Sequence, residues 1–372
     1  MNILYICPND PRDTSFGGAQ RTHFIWKALK SCGTVYAFCP QGGKVQTVED
    51  AVGLVRQASV DSPNPVFFLL DRLILRLTSG QIRLPFRSSR FIRSRIGWPE
   101  VKFDCVVVRY IRYAALVSAW KLAPKCIVDI DDLPTQAFGG MGRFRRWLLF
   151  VWQRHVLRRV TLSWFPNEDL IPQIAKMCPC RFLPNLAMPP RADYQVSGKQ
   201  KRQLMSVGWM AYRPNHEGVD WFVREVWPKV HAVHPDLKYV IAGKEAPADC
   251  VRRWSAVPGV EVLGFVEDLD SLYEESLAVV APVFSGSGTC IKVQEAGLRG
   301  RTVFATPFAA RGMAADAPFL KVSNTAELMR RDLLAFLDLV QTSGEGCCPA
   351  VGDPARIRMD FEAEVFRGVH GK

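Results

Sequence analysis

Short apolar runs alternate with amphipathic stretches along most of the chain. The run NILYIC (2–7) is typical of a buried parallel strand, and apolar residues then recur on one helical face from Ala19 to Cys32. Gly33 is a suitable end for that helix. Further strands are predicted in the first half at 34–39, 103–110, 126–131 and 162–167. Strands that alternate with helices in this way favour an α/β protein with a doubly wound parallel sheet.

The alternation breaks at residues 188–203, where prolines, a glycine and polar residues predict an interdomain linker. The linker separates a first domain, 1–187, from a second domain, 204–345. The tail, 346–372, is expected to form a helix that crosses back to the first domain. In the second domain the pattern predicts helices at 217–233, 268–276 and 289–298, and strands at 204–210, 238–243, 260–266, 277–283 and, as the last, 301–307. Residues 44–100 show no clear period and predict helices and a basic loop.

Length and composition agree with two globular domains. The chain has 372 residues, of which 48% are hydrophobic and 23% charged. The apolar run WLLFVW (147–152) is far shorter than the ~20 residues that a membrane-spanning helix needs. The N terminus does not resemble a signal peptide, and the eleven cysteines lack the paired spacing of a zinc site. We therefore expect buried free thiols and a cytoplasmic protein.

The positive charge lies in the first half of the chain. The net charge is +12, and residues 1–190 carry 26 Lys and Arg against 13 Asp and Glu. Seven arginines and no acid occupy 72–98, and six arginines, again without an acid, are interleaved with Trp and Phe in 143–165. These windows suit an anionic membrane surface. They also fit a solvated face whose aromatic side chains turn to the core, or a nucleic-acid contact. We favour the membrane, with no nucleic-acid partner.

The stretch APVFSGSGTCIKVQEAGLRG (281–300) contains the clearest candidate site. Gly286 and Gly288 allow backbone amides to approach a ligand, and the helix that follows offers unpaired N–H groups to an anion. Lys292 adds a positive charge in the first turn. Glu295 lies one turn, or roughly 5 Å, further along the same face. This offset suits a diphosphate followed by the diol of a ribose.

Several segments resemble the family 4 retaining glycosyltransferases. GSGTCIKVQEAGLRGRTVFATPFAARG resembles the donor signature of the polysaccharide-biosynthesis subgroup, with its Gly-rich loop and Lys-x-x-Glu-Ala motif. SVGWMAYRPNHEGVDWFVREVWP, VLGFVEDLDSLYEESLAVVAP, GGAQR and LPN are similar to other segments of this subgroup. The resemblance implies the GT-B fold, in which two Rossmann-like domains with parallel sheets face each other across a cleft. The first domain would bind the acceptor and the second the nucleotide-sugar donor.

The resemblance also implies roles for individual residues. Glu295 would bind the ribose hydroxyls and Lys292 the diphosphate, while Val266 would meet the base through its backbone. The remaining donor-binding residues implied by the resemblance are Gly17, Gly18, Gly286, Ser287, Gly288 and Thr289. Ser287 stands where the family commonly has a first glutamate, so a sugar contact is lost or replaced. Arg213 is the candidate for the cation that often opens the second domain in this family.

The acceptor side is expected at IVDIDDLPT (127–135). Its acids, Asp129, Asp131 and Asp132, end a predicted central strand, where open α/β sheets bind ligands. By the resemblance, Asp131 replaces a family histidine and completes a catalytic set with Lys292 and Glu295. An acid here is also a common helix cap or turn former. Arg109 ends the preceding strand and either faces the acceptor or pairs with one of these acids.

The predicted function is a retaining, metal-independent hexosyltransferase without a cofactor. It would transfer a hexose from a UDP or GDP sugar to an oligosaccharide or lipid-linked acceptor in cell-surface polysaccharide synthesis, at the inner face of the plasma membrane. The sequence DID (129–131) matches only the bare Asp-x-Asp pattern of metal-dependent transferases. A non-catalytic scaffold that binds nucleotide sugar is the alternative, motivated by Ser287. A nucleotide-sugar epimerase would need a suitably placed histidine, for which His23 and His155 are weak candidates.

Overall fold

The chain forms two compact domains. The computed structural model describes residues 1–40, 46–50, 53–57, 69, 73–74, 100–131, 133, 142–168, 171–195, 200–286, 289–314, 316–343 and 354–371. The first domain comprises Met1–Asn185 together with Arg358–Lys372, and the second comprises Leu186–Ile357. Gln203, which was predicted to end the linker, is instead buried as the first residue of a strand, because it pairs with Lys238.

The first domain is built on an eight-stranded sheet of order β3-β4-β2-β1-β5-β6-β7-β8. Its strands are β1 Asn2–Ile6, β2 Thr34–Cys39, β3 Gln46–Asp50, β4 Gly53–Gln57, β5 Cys105–Arg109, β6 Lys125–Asp129, β7 Leu162–Phe165 and β8 Cys180–Phe182. All neighbours are parallel except β3 and β4. The strands β2 to β4 lie on one side of β1, and the strands from β5 onward lie on its other side. The carboxyl ends of β1 and β5 therefore mark the topological switch point of this sheet.

Five α-helices accompany this sheet among the described residues. They are α1 Gly17–Lys30, α2 Ile111–Leu116, α3 Arg143–Leu157, α4 Ile171–Ala175 and, near the C terminus, α11 Pro354–His370. The final helix is anchored in the first domain, where Phe361, Val365 and Val369 are buried. Lys125 Nζ donates a hydrogen bond to the Val369 carbonyl at 2.7 Å. Residues 358–372 of the predicted tail thus belong to the first domain, and three of their apolar side chains join its core.

The second domain is built on a six-stranded parallel sheet of order β11-β10-β9-β12-β13-β14. Its strands are β9 Gln203–Val207, β10 Lys238–Ala242, β11 Val260–Gly264, β12 Ala278–Ala281, β13 Thr302–Ala305 and β14 Leu320–Val322. Its helices are α5 Arg213–Glu225, α6 Trp227–Val233, α7 Ala248–Ser255, α8 Leu269–Glu275, α9 Ile291–Leu298 and α10 Ala326–Ser343. Leu204 and Met205 pack into different apolar clusters. Burial on both faces explains why β9, β10, β12 and β13 read as apolar runs.

Three elements differ from the sequence prediction. Residues 46–50 and 53–57 pair as antiparallel strands where helices and a loop were expected, because their sequences QTVED and GLVRQ contain no continuous apolar run. A further strand, β14, follows the strand predicted as the last. The single helix predicted at 217–233 is divided into α5 and α6, with Pro228 in the first turn of the second helix. Proline suits this position because its missing N–H would lack a helical partner there.

Two expectations concern the chain as a whole. The nine cysteines for which the structure describes an environment are all free thiols, and most are buried. Among the described residues no helix combines the length and apolarity required to cross a membrane.

Candidate functional site

The candidate donor site lies at the switch point of the second sheet. There β9 and β12 are neighbours, although about seventy residues of chain separate them. Helix α5 follows β9, and α9 follows β12. The two connections lie close together. A Cβ added to Gly218 of α5 would lie only 1.9 Å from the Pro282 carbonyl oxygen. Glycine at this position lets α5 approach the segment that enters the Gly-rich loop.

Lys292 is fixed across this switch point by an amide. Its Nζ donates to Asn215 Oδ1 at 2.8 Å, and Asn215 Nδ2 donates to the Trp209 carbonyl oxygen at 2.8 Å. A Cβ added to Gly208 would lie 2.9 Å from Lys292 Nζ, so glycine leaves the space that the ammonium group occupies. Asn215 was not among the site residues predicted from the sequence. The only available signal was its position directly after the strand–loop segment of the second domain.

The charge of Lys292 is not neutralised by a carboxylate contact. Among the described residues Lys292 makes no ion pair, and its hydrogen-bond acceptor is the neutral Asn215 side chain. Burial lowers the pKa of Lys292, while Cys290 and Glu295 act in the opposite direction. A partly desolvated cation at a helix N-terminus can bind a diphosphate, whose charge both groups attract.

Glu295 lies one turn further along α9, where it is buried. Arg299 Nη1 donates to the Glu295 carbonyl oxygen at 3.2 Å, and Arg299 Nε donates to Asp270 Oδ1 at 2.6 Å. The Arg299 guanidinium also lies 4.9 Å from the ring centre of Tyr273. Burial, reinforced by the negative charge of Glu295, raises the pKa of Tyr273 well above its ordinary value. This packing holds the part of α9 that carries Glu295.

At two glycines in and near the Gly-rich loop, the backbone lies close to a neighbouring side chain. Gly286 has a φ of +129°, and a Cβ at this residue would lie 2.8 Å from the Tyr212 hydroxyl. Gly312 has a φ of +79°, and a Cβ there would lie 2.8 Å from the Thr289 methyl group. Glycine is therefore required at both positions. The predicted donor residues Ser287 and Gly288 lie outside the described residues.

Two further predicted donor residues are held by other contacts. Arg213 is the first residue of α5, its side chain is 81% exposed, and it pairs with Glu217 at 2.7 Å. Val266 follows the carboxyl end of β11 and packs against one of the apolar clusters of the sheet. The contact with Lys292 is made by Asn215, two residues after Arg213.

The first domain contains a second polar cluster at its own switch point. Gly17 and Gly18 open α1 after β1, and Arg109 ends β5 beside it. Arg109 Nη1 donates to the Gly18 carbonyl oxygen at 3.0 Å, and Arg109 Nη2 donates to Asp131 Oδ2 at 2.7 Å. Burial alone would lower the pKa of Arg109, but Tyr110, Asp129 and Asp131 raise it above its ordinary value. The guanidinium is therefore a permanent cation.

Asp129 is completely buried between two arginines. Arg21 Nη2 lies 2.5 Å from Asp129 Oδ1, and Arg109 Nε lies 3.0 Å from Asp129 Oδ2. Arg21 Nη1 also donates to Asn185 Oδ1 at 2.9 Å and to the Pro184 carbonyl oxygen at 2.8 Å. Both oxygens of Asp129 thus contact guanidinium groups. The GGAQR and LPN segments, far apart in sequence, are joined by the Arg21 side chain.

Asp131 and Tyr110 form the accessible part of this cluster. The Asp131 side chain is 14% exposed, whereas that of Arg109 is fully buried. Tyr110 has a φ of +68°, which is strained for a residue with a side chain. Arg109 Nη2 donates to the Tyr110 hydroxyl at 3.3 Å. Tyr110 was not among the residues predicted from the sequence, because residue type alone does not reveal backbone strain. Asp132 lies outside the described residues.

A metal site and a catalytic histidine were also considered from the sequence. Within the described ranges no group of three or more His, Cys, Asp or Glu side chains could hold a metal ion. His23 lies inside α1, where its Nδ1 is 2.9 Å from the Pro11 carbonyl oxygen, and burial lowers its pKa. His155 is exposed in the last turn of α3. Neither histidine is placed for the proton transfer that an epimerase requires.

Sequence comparison points to one family for the second domain. Residues 201–334 match the model of the glycosyl transferases group 1 family, and this segment includes the Gly-rich loop, Asn215, Lys292 and Glu295. Comparison with curated proteins gives no match.

Solved structures match the chain over its whole length. Sucrose-phosphate synthase from Thermosynechococcus elongatus has a TM-score of 0.62 at 15% identity, covering 100% of this chain and 94% of that one. A glycosyltransferase from Rickettsia africae has a TM-score of 0.58 at 12% identity, covering 100% and 93%. A trehalose-6-phosphate structure from E. coli, bound with UDP-2-fluoro glucose, has a TM-score of 0.60 at 11% identity, covering 100% and 96%. At these identities the likeness shows the α/β fold of GT-B proteins.

Proposed function

We propose that the protein is a retaining glycosyltransferase that uses a nucleoside-diphosphate hexose, with uridine or guanosine as the nucleoside. One observation carries this proposal. Lys292 lies in the first turn of α9 without a carboxylate partner among the described residues, one turn before Glu295, at the switch point of the sheet. The match of this segment to the glycosyl transferases group 1 model supports the same conclusion.

Lys292 and the N-terminus of α9 would stabilise the departing diphosphate. Negative charge develops on the phosphate oxygens as the glycosidic bond breaks, and a fixed cation in a partly desolvated site is most effective at that moment. Asn215 holds the ammonium group in place before the donor binds. The leaving diphosphate would accept the proton of the attacking hydroxyl, so no protein base and no metal ion is required.

The donor is expected to contact several elements of the second domain. Glu295 would accept hydrogen bonds from both ribose hydroxyls, and the backbone at Val266 would meet the base. Thr289 and the glycines of the loop would offer donors to the diphosphate. Ser287 in place of an acid removes one charged contact with the sugar, so binding depends more heavily on Lys292 and Glu295. Arg213 is exposed and paired with Glu217, and it would bind the donor only by exchanging this ion pair for a contact with the phosphate.

In the first domain we assign the acceptor contact to Asp131. Its partly exposed carboxylate is oriented by Arg109 and could bind a sugar hydroxyl. Arg109 and Asp129 are fully buried, and we therefore assign them a positioning role rather than the direct acceptor contact expected from the sequence. The acceptor would be an oligosaccharide or a lipid-linked glycan of a cell-surface polysaccharide, reached from the cytoplasmic face of the plasma membrane.

As the pH rises, donor binding is expected to weaken at a lower pH than it would if an exposed lysine bound the diphosphate. Burial lowers the pKa of Lys292, so the neutral amine forms below its ordinary value of 10.5 and can no longer attract the diphosphate. Bound diphosphate favours the charged amine, and binding above this lowered pKa should take up a proton. Calorimetric titration with UDP or GDP across this range would detect both effects. Lys292→Arg should remove the alkaline loss, because guanidinium remains charged; an identical loss in that variant would contradict the assignment.

Donor turnover tests the proposed function directly. Purified full-length protein would be incubated with UDP-, GDP- and dTDP-sugars in the presence of EDTA, and release of the free nucleoside diphosphate would be followed. We expect slow release from one donor, unaffected by EDTA and reduced roughly 100-fold in Glu295→Ala. Glu261→Ala is a matched control, since that exposed glutamate pairs only with Lys238 at the surface. Release that EDTA abolishes would overturn metal independence.

The alternative is a scaffold that binds nucleotide sugar without turning it over, which the serine at position 287 still favours. It predicts donor affinity that depends on Glu295 but no release of diphosphate, with or without a lipid-linked acceptor. Absence of binding to every donor would contradict both functions.

A further inference from the structure

Helix α3 has two apolar stripes on opposite sides. The inner stripe contains Leu149 and Val156, with the polar but buried Gln153 between them, and it packs against the core of the first domain. The outer stripe consists of Phe144, Trp147, Leu148, Phe150 and Val151, all of which are exposed. At 100° per residue, positions 144, 147 and 151 lie on one face, directly opposite the inner stripe. The sequence alternative in which these aromatic side chains turn to the core is therefore wrong for Phe144 and Trp147.

The exposure of the outer stripe is large. Phe144 is 72% exposed and Trp147 is 59% exposed, and their rings stack with centroids 6.0 Å apart. Apolar residues scattered singly over a surface are ordinary, but a continuous aromatic and aliphatic stripe on one helix indicates a binding surface. Folding of the domain does not require it, because the inner stripe already anchors α3 to the core.

The charges around the outer stripe define its partner. Arg143, Arg145 and Arg146 lie in and around its first turn, Arg154 lies in the last turn of α3, and Arg158 and Arg159 follow the end of the helix. No Asp or Glu occurs in 143–165. An anionic lipid surface satisfies both features, because its headgroups attract guanidinium groups and its acyl boundary accepts Trp, Phe and Leu side chains.

Other occupants fit less well. A second copy of the chain on this face would bring two groups of six arginines together without an acid to balance them. Nucleic acid would use the arginines and stack on the aromatic rings, but it has no use for Leu148 and Val151.

We infer that the outer stripe of α3 is a docking surface for an anionic membrane, with α3 lying in the plane of the interface. This inference rests on the proposed function only in that it names where a lipid-linked acceptor would be met. The second basic window, 72–98, lies outside the described residues except for positions 73–74.

Vesicle flotation tests the inference on the full-length protein. Vesicles would contain phosphatidylcholine alone or phosphatidylcholine mixed with phosphatidylglycerol. We expect binding only to the mixed vesicles, weakened by added salt and reduced roughly tenfold or more in the variant Phe144→Ser/Trp147→Ser. The matched control is Val233→Ser/Leu339→Ser, which removes two equally exposed apolar side chains from α6 and α10 of the second domain. Donor release in the absence of acceptor should be the same in all three proteins.

Each outcome separates this inference from the proposed transferase. Wild-type protein that binds neither vesicle, or a Phe144→Ser/Trp147→Ser variant that binds as well as wild type, would overturn the docking surface while leaving the transferase intact. A wild-type dimer that this variant converts to a monomer, without vesicle binding, would assign the stripe to a second copy and also overturn the inference. Vesicle binding without donor release would retain the docking surface and contradict the transferase.

Discussion

Replacing Asp129 with alanine is expected to lower the free energy of unfolding of the first domain by about 3–5 kcal/mol. The carboxylate is fully buried between Arg21 and Arg109. Its removal leaves the buried guanidinium of Arg21 without a carboxylate partner among the described residues, while Arg109 keeps only Asp131. Arg21 also ties α1 to Asn185 and Pro184. The loss of stability should therefore extend from β6 to α1 and to Pro184 and Asn185.

The measurement must isolate the first domain, because a two-domain protein need not unfold in one step. Hydrogen exchange of peptides from β1, β5 and β6 reports on this domain, while peptides from β9 and β12 serve as an internal reference. Asp10→Ala is the matched control. Asp10 pairs with Arg12 at the surface of the same domain, and such pairs contribute about 0–1 kcal/mol. An effect of Asp129→Ala no larger than that of Asp10→Ala would show that the cluster does not stabilise the fold.

Replacing Lys292 with alanine is expected to reduce donor turnover by about 10²–10³-fold, the loss typical of removing one group that stabilises transition-state charge. The Lys292 ammonium group is held at the switch point of the second sheet by a neutral amide, so its charge is available to the diphosphate. Lys292→Arg should recover part of the activity, since it restores the charge but not the geometry of the contact with Asn215. Turnover kinetics with the preferred donor would provide the measurement.

Stability separates a chemical role of Lys292 from a structural one. Burial disfavours its charge, so Lys292→Met should leave the melting temperature unchanged or raise it while turnover falls. Lys238→Ala, which removes an exposed lysine paired with Glu261, should change neither quantity. Loss of folding in Lys292→Met, with turnover lost only in proportion, would make the residue structural.

The second domain was the more predictable half of the fold. Its strands are buried on both faces, so β9, β10, β12 and β13 appear as apolar runs. The motif helix was predicted from Thr289, whereas α9 begins at Ile291. The strands β3 and β4 in the 44–100 region were missed because their sequences, QTVED and GLVRQ, are mostly polar and contain no continuous apolar run. The strand β14, which has three residues, two of them exposed, was also missed.

The site was harder to predict than the fold. The Gly-rich loop, Lys292 and Glu295 are adjacent in sequence, so helical geometry alone relates them. Asn215 lies on a different connection, and only the pairing of β9 with β12 brings it to Lys292. Sequence alone could not rank Arg213 against Asn215, because their order along α5 does not say which side chain faces the loop. Likewise, nothing in DID distinguishes Asp129, enclosed by Arg21 and Arg109, from the more accessible Asp131.

The placement of the last helix has a consequence for biosynthesis. Residues 358–372 complete the first domain and contribute Phe361, Val365 and Val369 to its interior. The rings of Phe24 and Phe361 lie 6.4 Å apart, and Gly368 lies close to the Trp164 ring. A nascent chain therefore exposes the apolar surface around Phe24 and Trp164 while the entire second domain is translated. The second domain can complete its sheet first. The order of maturation on the ribosome then runs opposite to the order of synthesis, and a chain released before its last helix would leave the first domain open to chaperones and proteases.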